Sequence, residues 1–159
     1  MSAAKSRASV STRGPVLIIG TGLLGTSLAL ALRTADVEVQ LSDTSPTSLA
    51  LARDMGAGTP HDKHSPEPQI VVVATPPDVT ADVVVAQLSA HPNAVVTDVA
   101  SVKERVVAEV RARAGAEARR YVGSHPMAGR ERSGAGSADS DLFAGRPWVV
   151  VGQDSDPEA

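Results

Sequence analysis

The sequence predicts an α/β domain built on a doubly wound, mostly parallel sheet. Three observations predict it. Short apolar runs alternate with stretches of helical periodicity along most of the chain. The apolar runs show no polar alternation, as expected of strands covered on both faces. A glycine-rich turn joins the first apolar run to the first helical stretch, and right-handed crossovers between parallel strands then wind the sheet in both directions.

Val16-Leu17-Ile18-Ile19 reads as a buried strand ending at Gly20. From Gly22 to about Arg33, Leu24, Leu28 and Leu32 share one helical face. Val37 to Leu41 is a second strand, closing on Ser42-Asp43. Ser45-Pro46 is an N-cap and first-turn pair for a helix to about Met55, which Gly56 and Gly58 end. A short third strand is weakly signalled there. Residues 61–69 are polar and proline-bearing and read as loop. Ile70 to Ala74 is a strand stopped by Thr75-Pro76-Pro77, and Pro77-Asp78 opens the next helix. Val95 to Val99, a helix from Lys103 to Ala114, a strand beginning at Arg120 to Gly123, and a last strand at Trp148 to Val151 complete the series. One domain is expected over residues 15–152, after a disordered tail over residues 1–14. A linker-like end follows at residues 153–159.

Composition narrows the function classes. The chain has 159 residues, a formal charge of −3 and no cysteine. Disulfides, thiolate catalysis and cysteine metal sites are excluded. Tyr121, Phe143 and Trp148 are the only aromatic side chains. With so few stacking residues and no basic excess, neither nucleic acid nor an anionic membrane is an expected partner. No run approaches the length of a membrane span and no secretory signal is present, so the cytoplasm is the default expectation. His61, His64 and His91 lie in predicted polar loops and read as surface residues, not metal ligands.

Gly20-Thr21-Gly22-Leu23-Leu24-Gly25 is a GxGxxG in the strand–helix setting the pattern needs. Gly20 permits the tight turn, Gly22 lets backbone approach a pyrophosphate, and Gly25 lets the helix pack on the strand. The helix N-terminus offers free amides to an anion. Asp43 ends the second strand, about twenty residues on, where an acid bonds the ribose hydroxyls and repels a 2′-phosphate. These features predict a Rossmann-type dinucleotide site that prefers NAD over NADP.

Two later segments follow strands at the edge where ligands bind in open α/β sheets. They are Thr97-Asp98-Val99-Ala100-Ser101-Val102-Lys103 and Gly123-Ser124-His125-Pro126-Met127-Ala128-Gly129-Arg130-Glu131-Arg132-Ser133-Gly134. His125 suits proton exchange near neutral pH, and equally suits a surface loop. Ser101 begins a Ser-x-x-Glu capping box with Glu104 and can also present its hydroxyl to a site. Lys103 and Arg105 read as solvated helix charges.

Taken in order and spacing, GTGLLGTS, Asp43, VVVATPP, TDVASVK and GSHPMAGRERSG resemble the prephenate/arogenate dehydrogenase family from about Val16 to Val151. The HPMAG segment is the most specific part. The resemblance implies that His125 takes the proton of a ring hydroxyl and that Ser101 positions it. Gly20, Thr21, Gly22, Leu23, Leu24, Gly25 and Asp43 would take NAD, with Thr75 and Pro76 lining the cofactor cleft. The implied reaction is NAD-dependent oxidative decarboxylation of prephenate to 4-hydroxyphenylpyruvate in tyrosine biosynthesis.

Arg130 stands where many family members carry a small hydroxyl residue. With Glu131 it is a candidate for substrate contact. Family members continue into a helical domain that forms a homodimer and supplies an arginine for the substrate carboxylate. That domain is absent here, so weak or no turnover by this chain alone is expected. Two other readings stand beside this one: an arogenate dehydrogenase, and a stand-alone NAD-binding or sensing module without catalysis.

Overall fold

The computed structural model describes residues 12, 14–128 and 134–151. Seven strands form one sheet: β1 (Val16–Ile19), β2 (Val39–Ser42), β3 (Thr59–Pro60), β4 (Ile70–Val73), β5 (Val95–Asp98), β6 (Tyr121–Pro126) and β7 (Trp148–Val151). Their spatial order is β3-β2-β1-β4-β5-β6-β7. All pairs are parallel except β6 with β7. The chain leaves β1 for β2 on one side and returns to β4 on the other. The winding therefore reverses between β1 and β4, the place where open α/β sheets hold ligands.

Among the described residues, four α-helices cover the sheet: α1 (Leu23–Thr34), α2 (Pro46–Asp54), α3 (Pro77–Ala90) and α4 (Lys103–Ala114). Successive strand residues point to opposite faces, and two aliphatic cores result. Val16, Ile18, Leu41 and Val72 pack with Ala29 of α1 and Ala52 of α2. Leu17, Val71, Val73 and Val96 pack with Val84 and Leu88 of α3 and with Val106 and Val110 of α4. The α2 start is as the sequence indicates, with the Ser45 hydroxyl accepting from the Ser48 amide at 3.2 Å and Pro46 in the first turn. At the far end of α3, the Arg120 guanidinium donates to the carbonyls of Leu88, His91 and Ala94 at 2.7–2.9 Å. The Leu88 carbonyl belongs to the last turn of α3, where acceptors lack a partner within the helix, and the other two lie in the connection to β5.

Several expectations need correction. β6 runs through Pro126, so His125 sits on a strand, paired with Val149 of β7, and not in a loop. Strand pairing from β7 holds residues that the proline alone would assign to a turn. β7 itself is not covered on both faces: Trp148, Val149 and Val150 are 37%, 45% and 63% exposed. It is the antiparallel edge of the sheet, beyond the helical layers. The capping box does not form. α4 begins one residue later than that motif requires, with Val102 at the N-cap and no side-chain cap.

His91 is buried rather than on the surface, with Nδ1 2.9 Å from Glu67. His61 is half-buried, with Nδ1 2.8 Å from Gln40 Oε1. The Gln40 amide nitrogen donates to the Pro66 carbonyl, so its oxygen is the atom left to accept from His61. The two imidazoles meet edge to face at 5.8 Å. The polar 61–69 segment folds back on the sheet here, which local sequence does not reveal.

Burial and the adjacent His91 ring hold the His61 pKa below its usual 6.5, against the opposing pull of Asp62 and Glu67. The unfolded chain therefore takes up this proton first as pH falls. The stability carried by neutral His61 is complete above about pH 6.5 and is lost as pH drops through that value toward the folded pKa. Urea midpoints measured between about pH 8 and about pH 5 are expected to fall, and to fall less steeply in His61→Gln. Equal slopes in the two proteins would remove His61 from the acid response.

Candidate active site

The turn after β1 is built by close backbone approach. Gly20 has φ +98°, and a Cβ there would overlap the carbonyl of Ala74 just past β4. A Cβ on Gly25 would overlap the Gly20 carbonyl oxygen. These two positions are steric requirements of the turn. Gly22 differs: its φ is −77° and a Cβ would meet nothing within 4 Å. Its open side faces a cleft of about 800 Å³ lined by Gly20, Gly22, Leu23, Leu24, Asp43, Thr75 and Pro76. Ser48 of α2, Val79 and Val83 of α3, and Gly134 also line it. α1 carries no acid in its first turn, and Gly22 caps it without a side chain. Its first amides are thus presented without a competing anion.

Thr21 and Gly25 do not line this cleft; both are buried behind it. Thr21 joins the turn to Asp43, whose Oδ2 accepts from the Thr21 amide at 2.6 Å and its hydroxyl at 2.8 Å. Asp43 Oδ1 accepts from the Ser45 amide at 2.7 Å. Burial alone would raise the Asp43 pKa, but the amides of Ser45 and Thr21 and the Thr21 hydroxyl outweigh it and lower it below 3.8. The carboxylate is therefore ionised at the cleft wall and held in a fixed orientation. Each carboxylate oxygen has two lone pairs, and Oδ1, with one bond, is left with acceptor capacity.

Ser101 and His125 lie outside the cleft lining but at the same carboxyl edge of the sheet. Ser101 is exposed in the β5–α4 turn, and His125 is half-exposed near the end of β6. β6 is three strands from β1, a lateral distance of about 14 Å. Strand alternation puts His125 on the sheet face that α3 and α4 cover, the side toward which Pro76, Val79 and Val83 extend the cleft. Arg130 and Glu131 lie outside the described residues. The segment after them returns across the sheet: Gly134 lines the cleft, Ala135 is buried against the α1–α2 core, and the Asp139 amide donates to Ser27 of α1 at 3.0 Å.

Sequence reasoning missed one cluster. Lys103 is not a solvated charge but an ion-pair partner of fully buried Asp98. Burial pushes its pKa down from 10.5, against the pull of Asp98. Tyr121 donates to Asp98 at 2.7 Å, and burial followed by that carboxylate pushes the phenol well above its ordinary 10. An acid closing an otherwise apolar strand was the available signal. Among the described residues, no group of three or more acids and histidines could hold a metal ion, and no helix is long and apolar enough to cross a membrane.

The sheet order, the glycine turn and the placing of Asp43 define a Rossmann-type nucleotide-binding domain. The chain belongs to the prephenate dehydrogenase family: the model of that family's nucleotide-binding domain matches residues 28–159. "Probable prephenate dehydrogenase NovF" of Streptomyces niveus is 43% identical over 136 residues, covering 85% of this chain and 37% of that protein. A prephenate dehydrogenase of Aquifex aeolicus, solved with hydroxyphenyl propionate and NAD+, superposes with a TM-score of 0.80 at 28% identity. The match covers 95% of this chain and 55% of that one. Synechocystis arogenate dehydrogenase superposes with a TM-score of 0.77 at 26% identity, covering 90% and 52%. The chain thus spans about two-fifths of the curated relatives it matches and about half of these solved chains.

The glycine geometry separates two substitutions. Gly25→Ala is expected to cost about 3 kcal/mol or more, since backbone must yield to the new methyl. Gly22→Ala is expected to cost no more than about 1 kcal/mol, the penalty of a poorer N-cap. Thermal unfolding of both variants checks the contrast, and equal losses would contradict it.

Proposed function

We propose that the cleft binds NAD and that the chain is the cofactor half of an NAD-dependent prephenate dehydrogenase. The single observation that carries this reading is the joint presence, on one cleft, of the unobstructed Gly22 edge, the first amides of α1 and the ionised Asp43 carboxylate. A pyrophosphate fits against the amides, where no Cβ intrudes. Asp43, held by Thr21 and Ser45, would accept from a ribose hydroxyl and repel a 2′-phosphate, favouring NAD over NADP. Thr75 and Pro76 would flank the nicotinamide half. NAD, when bound, supplies a hydride acceptor.

The other steps fall to the protein and substrate. His125 would accept the ring-hydroxyl proton as hydride leaves the same carbon, with Ser101 orienting the two. The carbonyl that forms draws the electrons of the departing carboxylate bond, carbon dioxide leaves, and the ring becomes aromatic. Prephenate and NAD+ then give 4-hydroxyphenylpyruvate, carbon dioxide and NADH. The half-exposed position of His125 at the carboxyl edge of the sheet, on the face toward which the cleft extends, supports this role. Arg130 and Glu131 are proposed as substrate contacts on sequence grounds. Arogenate is the second reading, favoured by the likeness to the Synechocystis enzyme. We further propose a homodimer formed through the part of the relatives that this chain does not span, and a cytoplasmic location.

Calorimetric titration is expected to show NAD binding the chain more tightly than NADP. Gly22→Ala should weaken it by roughly tenfold or more while leaving the fold intact, since its methyl enters the pyrophosphate position. In a form as long as the relatives, His125→Asn should lower prephenate turnover by roughly a hundredfold or more. NADP binding as tight as NAD, or full turnover without the imidazole, would overturn the corresponding part of the proposal.

A further inference from the structure

Asp98 ends β5 fully buried, and four groups satisfy it. Tyr121 donates to Oδ1 at 2.7 Å, while Lys103 and the Ala100 amide, at 3.0 Å, donate to Oδ2. On the opposite sheet face, the Ser124 hydroxyl donates to the Asp98 backbone carbonyl at 2.7 Å and itself accepts from Thr97 at 3.2 Å. The partners lie on β6, on α4, and in the turn between β5 and α4. A buried carboxylate is costly to desolvate, so a set of partners this complete fixes the geometry of every segment it touches.

Those segments are the ones that carry Ser101 and His125. Ala100 and Lys103 bracket Ser101 along the chain. Asp98 pairs in register with Gly123, and His125 follows two residues later on the same face, about 7 Å along the strand. The Lys103 side chain crosses the intervening position, with its Cδ 3.5 Å from where a Gly123 Cβ would stand. Ser124, held from the other face, is the immediate neighbour of His125. The pair has no direct link of its own to set its spacing, but Asp98 touches both supports.

We propose that Asp98 is a positioning residue, whose carboxylate and carbonyl lock the β5–α4 turn bearing Ser101 to the strand bearing His125. This rests on the assignment of those two residues to the chemistry. Neither Asp98 nor Tyr121 lines the dinucleotide cleft, so the lock acts on the substrate end alone.

The test compares Asp98→Asn and Tyr121→Phe with Leu88→Ala, a core truncation in the same aliphatic cluster. NMR of the isotopically labelled chain reads the Ser101 amide and the His125 ring carbon–proton signals, and calorimetry reads NAD affinity. Both polar variants are expected to displace the Ser101 and His125 signals well beyond the displacement in Leu88→Ala. NAD affinity should stay within about twofold of the parent. Signals that move no more than in Leu88→Ala would overturn the proposal. If Asp98→Asn does not fold, Tyr121→Phe, which keeps the ring and both charges, decides the matter. A parent chain that fails to bind NAD would overturn the cofactor reading and leave this comparison intact, so the two failures are distinguishable.

Discussion

The close approach of the β1–α1 turn to the end of β4 constrains everything above the sheet. The Gly20 carbonyl lies where a side chain on Gly25 would stand, and the Ala74 carbonyl lies where one on Gly20 would stand. With no side chain at either position, α1 docks against β1 and β2 with its first amides at the carboxyl edge of the sheet. Asp43 then reaches across from the end of β2 to bond Thr21, so the turn is braced from a third strand. A cleft between β1 and β4 follows from these contacts and from the reversal of winding, before any ligand is considered.

Much of this was legible in the sequence. Ser45-Pro46 and α4 carry purely local signals, and the helices form where those signals lie. The strand cores at Val16–Ile19 and Ile70–Val73 were legible for another reason: a run without polar alternation suits a strand covered on both faces, although the same pattern at Trp148–Val151 ends exposed at the sheet edge. What local sequence could not convey came from tertiary partners. His91 becomes buried because residues 61–69 fold back and bring Glu67 to its ring. β6 extends to Pro126 because β7 pairs with it from the far end of the chain. Lys103 looked like any helix-surface cation until Asp98 was found beneath it.

The site shows the same division. Gly20, Gly22 and Asp43 were readable because each satisfies a backbone or charge requirement at a fixed spacing. Thr21 and Gly25 belong to that motif yet act from behind the cleft, as brace and spacer. Gly134 enters the cleft from the other end of the sequence, brought there by Ala135 in the α1–α2 core and by the Ser27 hydroxyl. No spacing rule links positions so far apart.

The outermost strand carries a consequence for what can join the sheet. β7 presents Trp148, Val149 and Val150 to solvent, and among the described residues no strand pairs with its outer side. Natural edge strands are commonly guarded by lysine, proline or a bulge, and Trp148–Val151 contains none of these. The outer backbone of these four residues is therefore the place on the described part of the sheet where a further strand, from this protein or another, could add by main-chain pairing.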